Sequence, residues 1–168
     1  ICKEGNLRHI ISDSFNFEII QNNNSVKIIY DMCCGTMGKR PIFSGRIEYT
    51  VYSDGLLNIN LCGNIREVSI WLPRFGYNWK FDKSLRYVKY FGYGPYESYI
   101  DRRISCIKDV YKDSVSNMEV HYVKPQENGS HYGTEWLEIG NGKTKIRVEG
   151  NISFSALPHS SKEYGAAK

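Results

Sequence analysis

Long apolar runs are missing from this 168-residue chain. No stretch approaches the roughly 18 consecutive apolar residues of a membrane-spanning helix, so no helical anchor is read and no membrane partner is expected. A basic segment followed by an apolar core is also missing at the start, and a cytoplasmic setting is expected over a secreted one. The Asn-x-Ser sequons at Asn23, Asn128 and Asn151 carry no weight without secretion. Nor is charge of one sign concentrated. Lysine and arginine total 22 against 18 acidic residues, a net charge of +4. The basic residues are scattered along the chain, whereas a nucleic-acid footprint needs them gathered on one face, so nucleic acid is excluded as a partner.

Paired cysteine chemistry is lacking as well. Cys2, Cys33, Cys34, Cys62 and Cys106 make an odd set with no Cys-x-x-Cys. Adjacent Cys33 and Cys34 have poor geometry for an ordinary disulfide. His9, His121, His131 and His159 do not complete a tetrahedral zinc spacing, so small buried or half-buried thiols are expected. No metal or cofactor is expected in this chain. Helix signals are few: residues 81–86 or 114–118 could form single turns, and 160–167 could begin a helix.

What the chain does have is short alternating segments. Residues 15–20 and 26–30 flank the polar run Gln21-Asn-Asn-Asn-Ser25 as a hairpin. Residues 47–52 and 57–61 alternate around Ser53-Asp-Gly55, and Asp-Gly between alternating runs is a strong hairpin signal. Further strands are expected over 68–71, 87–91, 106–111, 120–123, 135–139 and 144–148, with a type I′ turn at Asn141-Gly142 joining the last two. Residues 35–45 are the most loop-like interruption. Many short strands at spacings of about 8–12 residues predict an all-β fold, an antiparallel β-sandwich. Hydrophobic residues at 41% suffice for one packed domain over residues 1–168.

Two runs break the alternation: Tyr90-Phe-Gly-Tyr-Gly-Pro-Tyr-Glu-Ser-Tyr-Ile-Asp-Arg102 and Tyr122-Val-Lys-Pro-Gln-Glu-Asn-Gly129. Gly supplies backbone angles that a Cβ forbids, and Pro removes a ladder donor. Both runs are therefore expected as shaped loops outside any regular strand. The first presents Tyr93, Tyr96, Glu97, Tyr99, Asp101 and Arg102, the second Gln126, Glu127 and Asn128, and Trp136 follows downstream. Flat rings beside amides and carboxylates suit either a sugar surface or a contact between domains. Asp101 next to Arg102 and Arg103 is expected as an ion-paired loop anchor. Glu127 is expected to hold its turn by accepting loop N–H groups.

Trp71-Leu-Pro-Arg-Phe-Gly76, the run from Phe91 to Arg102, the run from Tyr122 to Gly129, and Gly133-Thr-Glu-Trp-Leu137 resemble, in order and spacing, the C-terminal small-chain domain of glycoside hydrolase family 2 β-galactosidases. The resemblance covers residues 45–167 and is weaker upstream. It implies a supersandwich of the galactose mutarotase kind, here lacking its final strands, so that the chain would be a piece of a larger enzyme. It also implies a parent that removes terminal β-galactosyl residues with retention through a covalent glycosyl-enzyme. That parent's two glutamates, and its Mg and Na, would lie in a separate TIM barrel. No catalytic residue is carried over to this chain, and its expected partners are the TIM barrel, the other parent domains and the galactoside. The aromatic residue that the domain lends to the sugar pocket would lie beyond Lys168. His131 and Glu135 stand where the family often has Arg, so local ion pairing must be rewired. Exposed sheet edges would invite a dimer.

Two other readings compete. A free-standing carbohydrate-binding module would use Tyr93, Tyr96, Tyr99 and Trp136 with the amides of the second loop. An aldose-epimerase-like enzyme would need His121 or His131 paired with Glu127 as acid and base.

Overall fold

The computed structural model describes residues 10–66, 75–124 and 126–159. It is all-β and antiparallel, as the spacing of strand signals predicts, with no helix among the described residues. The chain divides into two compact units, Ile1–Tyr77 and Asn78–Lys168. The strand expected over 68–71 and the helix start over 160–167 fall outside the described residues.

The first unit is a four-stranded meander of β1 (Ile10–Gln21), β2 (Ser25–Thr36), β3 (Phe43–Tyr52) and β4 (Leu57–Ile65), in spatial order β1-β2-β3-β4. Both expected hairpins are present. The Asp54-Gly55 turn closes with Gly55 N–H donating to the Tyr52 carbonyl at 3.1 Å, while Asp54 Oδ1 accepts the Leu56 N–H at 3.0 Å. The strand period of two sorts the side chains by face. Ile28, Tyr30, Ile47, Tyr49, Ile59 and Leu61 share one face, and Asp31, Arg46, Glu48, Thr50, Asn58 and Asn60 share the other. Near one end, Gly45 and Gly63 sit directly opposite each other. The Phe43 ring lies across the pair, with its Cζ 2.6–2.7 Å from where either Cβ would be. Phe43 is thereby buried.

In the second unit, β5 (Tyr87–Gly94) is flanked by β6 (Ile107–Ser114) and β7 (Ser130–Gly140), and β8 (Lys145–Ser155) pairs with β7, giving the order β6-β5-β7-β8. Val88, Tyr90, Leu137 and Ile139 point to one face and form a core with Met118 and Ala156. Leu85, Tyr111, Val115, Ile152 and Phe154 pack around them. Burying such side chains contributes about 1.5–3 kcal/mol each, which is what holds these loop-rich strands in one register.

Three expectations need correction here. Residues 90–94 are strand and not loop. Gly92 is required in the sheet because a Cβ there would lie 2.4 Å from Thr134 Oγ1 and 3.0 Å from Thr134 Cα on the neighbouring strand, a close approach that only glycine permits. Residues 120–123 are not a strand: the Val120 N–H is taken by the Asn128 side chain at 3.0 Å and not by a ladder. The β7–β8 turn is not type I′. Only Gly142 of its two central residues has positive φ (87°), the signature of type II′. Asn141 Oδ1 holds that turn by accepting from Lys143 and Thr144 N–H at 3.0 and 2.9 Å.

Candidate functional site

The end of β5 and the segment before β7 bring the two Gly/Pro-punctuated runs together around one carboxylate, Glu97. β5 ends at Gly94, Pro95 follows through a cis peptide bond, and the chain leaves the sheet. Ser98 then fastens it to β7. Its N–H donates to the Ser130 carbonyl at 2.7 Å, and its Oγ donates to the Tyr93 carbonyl at 3.2 Å while accepting the Tyr132 N–H at 2.9 Å. Ser98 is fully buried, so each of its polar groups needs these partners. A backbone pair between Tyr99 and Arg102 closes the tip at 2.9 and 3.2 Å.

Four donors converge on Glu97. The Gly129 N–H reaches Oε2 at 2.9 Å, the Tyr99 hydroxyl donates to the same oxygen at 3.3 Å, and the Tyr122 hydroxyl and an Arg102 Nη both donate to Oε1. Arg102 also donates to the Tyr122 oxygen at 2.8 Å and lies 5.1 Å from the Tyr99 ring centre. Gly129 has φ 67°, and the Met118 carbonyl oxygen lies 2.5 Å from where its Cβ would be, so no other residue could present that N–H. Burial alone would raise the Glu97 carboxyl. The Tyr122 hydroxyl, the Gly129 N–H and the Arg102 guanidinium outweigh it and hold the group below the ordinary glutamate value. Burial, then the neighbouring Glu97 charge, push the Tyr99 hydroxyl up to about 12. At neutral pH the cluster is thus a carboxylate clasped by neutral and cationic donors, and its oxygens are occupied by protein groups.

The candidate residues divide into four sets. Glu97, Tyr99 and Arg102 make the clasp. Asn128 stands behind it, buried, with Oδ1 on the Val120 N–H and Nδ2 on the Gln126 carbonyl at 3.1 Å. Tyr96, Asp101, Gln126 and Glu127 are exposed at its rim. Tyr93 and Trp136 belong instead to the sheet face opposite the core. Tyr93 stacks on Tyr132 with centroids 6.3 Å apart, and Arg103 lies over both rings. Trp136 is flanked by Arg147 at 4.6 Å and Lys89 at 5.5 Å.

The ion-pair expectation is corrected: Arg102 pairs with Glu97 and not with its neighbour Asp101. The Gly129 N–H is taken by Glu97. Glu135 finds a cation in Lys108 at 2.6 Å, the rewiring that an acid in place of Arg requires. His131 is buried at 3% exposure against Tyr90 and Phe154, with Nδ1 2.9 Å from the Tyr90 hydroxyl, and burial lowers its pKa. That is a core histidine. Tyr122 and Ser98, which complete the clasp, were not among the expected site residues. Tyr122 opens the second run and Ser98 sits inside the first, so their place in the motifs was the available signal.

The profile described as "Beta galactosidase small chain" matches residues 5–168. The β-galactosidase of Staphylococcus xylosus is 31% identical over 141 residues, covering 83% of this chain and 14% of that protein. That of Actinobacillus pleuropneumoniae is 31% identical over 144 residues, 85% of this chain and 14% of the relative. That of Vibrio cholerae is 28% identical over 150 residues, 87% and 14% respectively. The chain spans about 14% of the length of these relatives.

Proposed function

Because this chain belongs to the β-galactosidase small-chain family, we propose that it serves a parent galactosidase as a non-catalytic scaffold and docking element, held against other parts of the enzyme by the clasped loops. The hydrolysis of terminal β-galactosides, with retention through two glutamates, is assigned to the parent outside this chain. Among the described residues no three of His, Cys, Asp and Glu gather as a metal site requires, and no step of this reading passes through a metal here.

The observation that carries the docking role is the contrast between the anchored base of the loops and their exposed tips. Tyr96 and Ile100 are 67% and 71% exposed, and Ile104 and Val123 are fully so. Apolar side chains on a rigidly hydrogen-bonded loop are what a permanent interface covers. A contact with the aglycone side of the pocket would use the same rim. The module alternative is less favoured because guanidinium groups lie over the Tyr93 and Tyr99 rings, where a sugar would stack.

Ile104→Asp with Val123→Asp in the whole parent enzyme is expected to lower its activity and thermal midpoint, while the same pair in the isolated chain leaves its own unfolding unchanged. A parent indifferent to both substitutions sinks the docking role. Turnover of a nitrophenyl galactoside by the purified chain alone, abolished by Glu97→Gln or Glu127→Gln, would sink the non-catalytic one.

A further inference from the structure

Away from the clasp, the other end of the second sheet holds a cleft of about 750 Å³, within the range of small-molecule sites. Its lining includes Tyr87, Lys89, Lys112, Gly140, Lys143 and Lys145. Strand register explains why a hollow forms there. Ser114, Tyr87, Gly140 and Lys145 make one cross-strand row, and Lys112, Lys89, Glu138 and Arg147 make the next. Gly140 contributes no side chain between Tyr87 and Lys145, and the Thr144 carbonyl oxygen and Lys145 Cβ lie 2.8 and 3.2 Å from where its Cβ would be. The Tyr87 ring, 61% exposed, forms one wall.

The charges around this hollow are out of balance. Lys89 and Lys112 are directly opposed across β5 and β6, an arrangement that destabilises a sheet unless something neutralises it. Four lysines, Lys89, Lys112, Lys143 and Lys145, line the cleft against two carboxylates, Asp113 and Glu138. Glu138 is shared by Lys145 and Arg147 at 3.0 Å each, and Asp113 accepts the Ser114 N–H at 2.7 Å. Lys89, Lys112 and Lys143 make no ion pair among the described residues, although Lys89 stands opposite Glu138 in the sheet and its ammonium lies 5.5 Å from the Trp136 ring centre. An excess of lysines over carboxylates beside an exposed aromatic ring matches a ligand with an anionic group at one end and C–H surface at the other.

We propose that this cleft binds an anionic monosaccharide, with Lys89 and Lys112 holding the anionic group and Tyr87 lying against the sugar ring. The site is independent of the docking role proposed for the loops, and either can fail without the other. Amide correlation spectra of the purified chain, titrated separately with galactose 6-phosphate, galactose and inorganic phosphate, test it. Galactose 6-phosphate is expected to shift the Gly140 and Gly142 amides, with affinity falling as salt rises. Lys89→Gln with Lys112→Gln is expected to weaken it at least about tenfold, the cost of losing a charge-assisted anion contact. Tyr87→Ala should weaken the sugar phosphate and leave inorganic phosphate unchanged. No shift at those two amides overturns the proposal, as does binding indifferent to the lysine pair. Galactose binding as well as its phosphate removes the anion from the assignment, and inorganic phosphate matching the sugar phosphate in both wild type and Tyr87→Ala removes the sugar.

Discussion

Replacing Glu97 by Gln keeps the shape of the clasp and removes its charge. The side chain is 10% exposed, so its donors cannot turn to water, whereas Arg102 at 56% can. A hydrogen bond to a charged group contributes about 1.5–3 kcal/mol net. Glutamine retains one acceptor oxygen and turns an NH₂ toward two of the four donors, so the gross loss approaches two such bonds. Discounting the screened Arg102 pair leaves about 2–3 kcal/mol. With a slope of about 2 kcal/mol/M, the urea midpoint of the second unit should fall by about 1 M. The pH dependence has a defined sign. The folded carboxyl lies below its ordinary value, so its contribution is complete above the unfolded glutamate pKa and is lost as pH falls through the lowered folded one. Wild type and variant should therefore differ fully at neutral pH and converge in acid, as the folded carboxyl takes up its proton. A variant within about 0.5 kcal/mol of wild type at neutral pH, or a gap that does not close in acid, would refute the reasoning.

Tyr90→Phe leaves the buried His131 Nδ1 with only the Tyr93 carbonyl, 3.4 Å away, and should cost about 1–3 kcal/mol in chemical denaturation. Because burial lowers the His131 pKa, the stability that neutral His131 brings is present above the unfolded histidine value and lost as pH falls through the lowered folded one; His131→Gln should flatten that acid limb, and an unchanged profile would contradict it. Gly92→Ala forces a methyl into Thr134 and should cost about 1–3 kcal/mol by overpacking, read as a lower thermal midpoint, while Gly76→Ala, with open space around it, serves as the neutral control.

Much of the fold could be read before any coordinates, and for identifiable reasons. Asp54-Gly55 and Asn141-Gly142 sit between alternating runs, and both hairpins formed where they stand. The period-two pattern of residues 47–52 survives because Ile47, Tyr49 and Val51 share one face of β3 and Glu48 and Thr50 the other. Glycine misled the reading at residues 90–94. From sequence, Gly92 signals a break in a strand, but its cause is a neighbour, Thr134, that only the folded chain brings close. Val120 misled it for the converse reason: Val120-His-Tyr-Val123 looks like strand until a buried Asn128, eight residues on, claims the Val120 N–H. Within the loops, the motifs contain the carboxylate at the centre of the cluster, but not the identity of all its partners. Sequence adjacency pointed Arg102 at Asp101. Arg102 reaches Glu97 within its own loop, and convergence with a second loop, 25–32 residues on, adds the Tyr122 hydroxyl and the Gly129 N–H. Trp136 shows the same limit, since its proximity in sequence to the second run says nothing of which face of β7 it occupies.

The ring of Phe43 resting on Gly45 and Gly63 ties three positions on two strands into a single unit of inheritance. No one of them is free to drift. A side chain gained at either glycine would evict the aromatic, and an aromatic lost would leave bare peptide where a pair of side chains should cover it. Substitutions here can therefore be accommodated only in concert, and across diverging sequences the three columns should change together or not at all.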